Sequence, residues 1–140
     1  MVSLSQHVFI DTILIIKYHG TTEGRDMTKT EIAQLCHEFN RLLQINRKQK
    51  VSPPWDEAPR WMKDSTINGV EYILRNPGCQ ASSVHENWRQ KKLADGWKLG
   101  PMRDDKLKEH PCILPFDKLP PGEQVKDRCF YALVLSLSKG

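Results

Sequence analysis

The sequence predicts a mainly α domain of about four helices with short β-strands or a small hairpin. Three observations lead there. Apolar residues recur at three- and four-residue offsets in four separate stretches. Capping or helix-breaking residues bound each stretch. The one long stretch without a helical period, "GWKLGPMRDDKLKEHPCILPF", is punctuated by Gly and Pro and holds only short extended pieces. A chain of 140 residues can bury one core without disulfides or metals, so one domain is expected over 27–140.

Residues 1–26 read as an N-terminal extension of uncertain status. The apolar run Val8 to Ile16 is interrupted by Asp11, lacks a basic flank and a cleavage signal, and falls short of the ~18 residues of a membrane helix. Its Val, Ile and Phe content suits a strand. The first helix is expected over Lys29 to about Ile45. Thr28 and Glu31 have capping-box spacing, and Ile32, Leu35, Cys36, Phe39, Leu42 and Leu43 follow on one face. "NRKQKVSPP" reads as a solvated loop.

A second helix is expected to start near Asp56 or Glu57 and to stop before Pro77, with Met62, Thr66, Gly69, Val70, Ile73 and Leu74 on its inner face. Gly69 costs about 1 kcal/mol against Ala inside a helix, so another backbone is expected to approach there. Ser82 or Ser83 can cap a third helix over about Val84 to Asp95, Ser83 forming a box with Glu86, and Gly96 supplies a left-handed stop. Leu119 is placed to staple a last helix opened by Pro120 and Pro121, with Val125, Cys129, Ala132, Leu133 and Ser136 facing inward.

Composition narrows function. A net charge of +4 with acids interspersed among the bases is far from the clustered basicity of a nucleic-acid binder, even counting "RQKK" and "NRKQK". No membrane span and no secretion signal is read, and the cytosol is the expected compartment. Cys36, Cys79, Cys112 and Cys129 stand far apart, without the close ligand pairs of a zinc site; reduced thiols and no cofactor or metal are expected. Adjacent Asp104 and Asp105 would point to opposite sides of an extended segment. No motif sets a nucleophile beside a base or a glycine-rich loop before a helix, so no enzyme is expected.

The rings are the richest feature. His85 and His110 read as packing or hydrogen-bonding residues, and Trp55, Trp61 and Trp97 as packing. Trp88 is different: it sits among Glu86, Asn87, Arg89 and Gln90, with Lys92 one turn on and on nearly the same side. An indole in such polar company is costly to expose unless something flat stacks on it.

The motifs "HENW", "ADGWKLGPMRDD", "HPCILPF", "LP" and Asp127 in "VKDRCFYAL" resemble the repeat domain of ryanodine receptors over about Trp55 to Leu137. That pattern runs His-Glu-x-Trp, Gly-Trp-x-Tyr-Gly, Arg-Asp-Asp, His-Pro-x-Leu-x-Pro-Tyr, Leu-Pro. The chain departs from it at Leu99, which removes a tyrosine hydroxyl, and more mildly at Ile113 and Phe116. The lead-in is similar to single-copy bacterial or phage relatives.

The resemblance implies a non-enzymatic ligand-binding module in which an adenine nucleotide or nucleotide-derived signal stacks on Trp88 and meets Lys92, with Arg89 or Arg103 near the phosphates. It also implies a pseudo-twofold unit of tandem repeats. With one copy here, either a homodimer supplies the second Trp88 and Lys92, or the first helix covers the open face. The alternative function is a protein-interaction or structural module without a small-molecule ligand.

Overall fold

A computed structural model describes residues 26–138. The extension and its strand reading fall almost wholly outside them. Four helices make the body: α1 (Lys29–Asn46), α2 (Arg60–Arg75), α3 (Ala81–Ala94) and α4 (Pro121–Ser138). Between α3 and α4 runs an excursion carrying β1 (Lys98–Leu99) and β2 (Glu109–His110). Among the described residues no helix is long and apolar enough to cross a membrane.

Helix α1 starts where its capping box dictates. The Glu31 amide donates to Thr28 Oγ1 at 3.1 Å and the Thr28 amide to Glu31 Oε2 at 2.8 Å. Ile32, Ala33 and Cys36 enter the main core with Val70 and Ile73 of α2, Val84 of α3 and Val134 of α4. The next face of α1 is polar and holds the following loop. Arg41 Nε donates to the Ser52 carbonyl at 2.9 Å, Gln44 brackets Ser52 through two hydrogen bonds, and Glu38 Oε1 accepts the Trp55 amide at 2.9 Å. Thus Trp55 is delivered, buried, to the core edge.

Helix α2 does not begin at Asp56 or Glu57. Those residues make a separate 3₁₀ turn, Trp55–Glu57, and the α-helix restarts after Pro59. The physical reason is that proline drives the preceding residue out of helical space, and Ala58 is extended at φ −70°, ψ 139°. At Gly69 the close neighbour is a side chain and not a backbone: a Cβ there would meet the Phe130 ring at 3.0–3.1 Å.

Helix α3 starts at Ala81, earlier than expected, with Gln80 as a cap that makes no side-chain bond; Ser83 lies inside the first turn and caps nothing. Its end follows expectation. Gly96 adopts φ +89°, its amide donates to the Leu93 carbonyl, and the Trp97 amide donates to the Lys92 carbonyl at 2.9 Å, which together make a Schellman motif.

The excursion contains a parallel pair, Lys98 opposite Glu109 and Leu99 opposite His110. A simple hairpin is therefore not what joins these strands, although an antiparallel bridge, Asp104 to Glu109, closes the loop between them. Asp104 Oδ1 accepts the amides of Lys106 and Leu107, both at 3.0 Å, and shapes that turn.

Helix α4 opens at Pro121 as expected, but with a different face inward. Val125 is 48% exposed, Ala132 and Ser136 are exposed, and Cys129 and Leu133 are only half-buried, whereas Val134 is wholly buried and Phe130 packs on the core. The apolar pattern misleads because polar groups occupy much of the inward side of the first turns: Glu123, Lys126 and Asp127 all line a half-open cavity.

Candidate ligand-binding site

Because the Schellman turn folds the chain back over the last turn of α3, Trp97 comes to lie beside Lys92. From the other side α2 brings Trp61. The Lys92 Nζ lies 4.7 Å from the Trp61 ring centroid and 4.8 Å from that of Trp97, and the two indoles are 5.7 Å apart. An ammonium between two indole faces gains roughly 0.5–2 kcal/mol from each when desolvated. Lys92 is only 8% exposed and, among the described residues, its ammonium makes no ion pair or hydrogen bond. Burial pushes its pKa below the usual lysine range, with Asp95 and Asp105 partly opposing.

From there a continuous series of rings leads through the molecule. Trp97 to His110 is 6.5 Å, His110 to Trp88 is 5.1 Å and edge-on, Trp88 to His85 is 5.5 Å, and His85 to Phe116 is 6.0 Å. Trp88 is therefore half-buried between two imidazoles.

The two imidazoles are pushed in opposite directions by their partners. His85 Nε2 lies 2.7 Å from the Leu114 carbonyl and Nδ1 lies 3.2 Å from Asp127 Oδ2. A carbonyl and a carboxylate only accept, so the two neighbours together favour the doubly protonated ring. Burial opposes this, but the bonds to Asp127 and Leu114 prevail and the pKa is raised. In His110, Nδ1 accepts the Cys112 amide at 3.0 Å, leaving no place for a second proton. Burial, with Arg103, Lys126 and Lys92 nearby, pushes its pKa down to about 4. The Cys112 thiol donates to Glu123 Oε2 at 3.5 Å, and burial followed by the Glu123 charge pushes it up to about 12. A proton-bearing thiol beside a neutral, already engaged imidazole is not an activated pair.

These groups surround a cavity of about 780 Å³, within the usual span of small-molecule sites. Trp61, Trp88, Lys92, Trp97 and His110 line it, and α1 closes one side with Phe39, Asn40 and Leu43. Of the residues expected to bind ligand, Trp88 and Lys92 meet here, although the ammonium lies over Trp61 and Trp97 and not over Trp88.

Arg89 and Arg103 do not reach the lining. Arg89 Nη1 pairs with Glu86 at 2.7 Å. Arg103 forms a fork on Asp105 at 3.0 and 3.2 Å and donates to Ser52 Oγ at 2.7 Å, strapping the excursion to the loop held by α1. His85, Trp97, His110 and Trp61 all line the cavity although sequence reasoning assigned them to packing or hydrogen bonding; of the four, Trp61 is the most open, 41% exposed. The readable signal was Pro59, which resets α2 and places Trp61 in its first turn. Among the described residues no group of three or more His, Cys, Asp or Glu is placed to hold a metal ion.

Residues 75–136 match the family model of the RyR domain. The matched segment carries the motifs that resemble the ryanodine-receptor repeat domain, although it is shorter than the Trp55 to Leu137 span expected. It contributes α3, the excursion and most of α4, and with them His85, Trp88, Lys92, Trp97, His110 and Asp127. Trp61 and the α1 wall lie outside the matched segment, so that segment builds most of the cavity and the preceding helices complete it.

Proposed function

We propose that the chain is a non-enzymatic ligand-binding module of the RyR type whose cavity takes an adenine nucleotide or a nucleotide-derived signal. The observation that carries the reading is Lys92: a buried ammonium, flanked by two indoles, that has no anionic partner of its own and lines a cavity shared with Trp88. A buried charge is costly until paired. An anionic ligand supplies the missing partner, and a flat base on the indoles adds about 1–3 kcal/mol. The protonated Cys112 thiol and the engaged His110 support binding without chemistry. Because α1 already closes one side, a single chain can form the site.

Titration calorimetry with 3′,5′-cyclic AMP, AMP, ADP and ATP against wild type and Trp88→Ala tests this. Heat with wild type that disappears in a folded Trp88→Ala protein is expected; no heat for any nucleotide ends the reading.

A second reading, a protein-interaction module, is favoured by the apolar tip of the excursion. Leu99, Met102 and Leu107 are 53%, 73% and 62% exposed there. Light scattering of wild type and Leu107→Lys separates the two: a lost oligomer with no nucleotide binding to either protein favours the interface, and an unchanged mass removes it.

A further inference from the structure

The charge arrangement around Lys92 narrows the class of ligand, and this step rests on the nucleotide reading above. The ionised groups near the ammonium are Asp95 at the end of α3 and Arg103, Asp105 and Lys108 on the excursion. Two acids and two bases cancel. Arg103 grips Asp105 with two bonds, and Lys108 Nζ donates to the Asp95 backbone carbonyl at 2.8 Å, which sets a cation beside Asp95, both side chains being exposed.

Elsewhere on the lining the pattern repeats. Asp127 faces His85 Nδ1 at 3.2 Å, Glu123 pairs with Lys126 at 3.2 Å, and Asp64 with Arg60 at 3.0 Å. Lys91 also lines the cavity but is exposed, where an ion pair is screened and worth little. The cavity thus presents one buried, uncompensated positive charge. Its Nζ is not sealed off, since Arg89 Nε is the occluded, unpartnered side-chain atom among the described residues.

We infer that the site selects a ligand bearing a single negative charge, an adenosine phosphodiester such as a cyclic nucleoside monophosphate, over nucleoside polyphosphates. A phosphodiester brings one charge to meet one ammonium. A terminal phosphate carries about −1.5 to −2 at pH 7, and a polyphosphate carries more. Each surplus charge would meet no further buried, unpaired cation on the lining, where Lys91 and Lys108 are exposed and Lys126 is held by Glu123.

The test is calorimetric titration of the full chain with adenosine, 3′,5′-cyclic AMP and ATP, repeated with Lys92→Met, whose side chain keeps its volume between the indoles. Near-ultraviolet circular dichroism verifies that the variant is folded. Cyclic AMP is expected to bind wild type at least about tenfold more tightly than ATP or adenosine. Lys92→Met is expected to lower cyclic AMP affinity by about ten- to a hundredfold while leaving adenosine unchanged. ATP binding as tightly as cyclic AMP or more tightly, with Trp88→Ala abolishing it, would overturn the single-charge selection and leave the nucleotide reading standing. Equal loss of adenosine and cyclic AMP in folded Lys92→Met would also overturn it. Absence of binding by all three ligands removes the inference together with the reading on which it rests.

Discussion

The two sides of this molecule are built from different materials. Where α1, α2 and the second half of α4 meet, Ile32, Ala33, Val70, Ile73 and Val134 are almost wholly buried, and aliphatic shape does the stabilising. Where α3 meets the excursion, rings and ions replace aliphatics: Phe116, His85, Trp88, His110, Trp97 and Trp61 follow one another, with Lys92 between the last two. Aliphatic side chains interdigitate without direction and leave no room. Rings held by hydrogen bonds at their edges cannot close every gap, so the second side retains a cavity and carries the titratable groups. The difference teaches that space for a ligand and sensitivity to pH arise here from one cause, the use of polar rings as core.

The largest expected effect falls on the aliphatic side. Ile73→Ala should cost about 2–5 kcal/mol in urea denaturation, with ligand affinity of the remaining folded protein unchanged. A cost below about 1 kcal/mol would break the contrast.

The ring side should respond to pH, in opposite directions at its two histidines. His110 has a folded pKa of about 4, below its ordinary 6.5, so the unfolded chain binds a proton that the folded one refuses. Stability is therefore lost as pH falls from about 6.5 toward 4, by up to about 3 kcal/mol. His85 has a raised folded pKa, so its contribution is full below the unfolded value and is lost as pH rises through the folded one. Denaturation curves from pH 4 to 9 should show a maximum between these limits. His110→Gln should flatten the acid limb and His85→Gln the alkaline one, and an unchanged profile in either variant would contradict the assignment.

Two glycines sharpen the comparison at smaller scale. Gly69→Val should cost about 1–3 kcal/mol by driving a branched side chain into the Phe130 ring on the packed side. Gly96→Ala, in open space but at φ +89°, should cost about 1 kcal/mol through backbone strain alone. Thermal denaturation would rank the two, and the reverse order would mean that the core yields more readily than the turn.

What the sequence made legible follows the same division. The Thr28 box and the Gly96 stop depend on local spacing, and local spacing was enough to read them; it set Trp88 and Lys92 on one cavity but not the two indoles, Trp61 and Trp97, that flank the ammonium. The inward face of α4 was not, because Glu123, Lys126 and Asp127 point into a polar cavity that no hydrophobic period reports. Arg89 and Arg103 looked free in the sequence, yet acids two or three residues away, Glu86 and Asp105, already hold them. Trp61 became part of the site only when Pro59 and the Schellman turn set it opposite Trp97, a tertiary meeting that neither stretch announces alone.

The most direct measurement is a crystal structure of the chain soaked with adenine nucleotides. The account predicts density for a base against the indoles of the cavity, with an anionic oxygen within about 3 Å of Lys92 Nζ. A cavity holding only water at saturating nucleotide, or nucleotide bound away from Lys92 and Trp88, would contradict it.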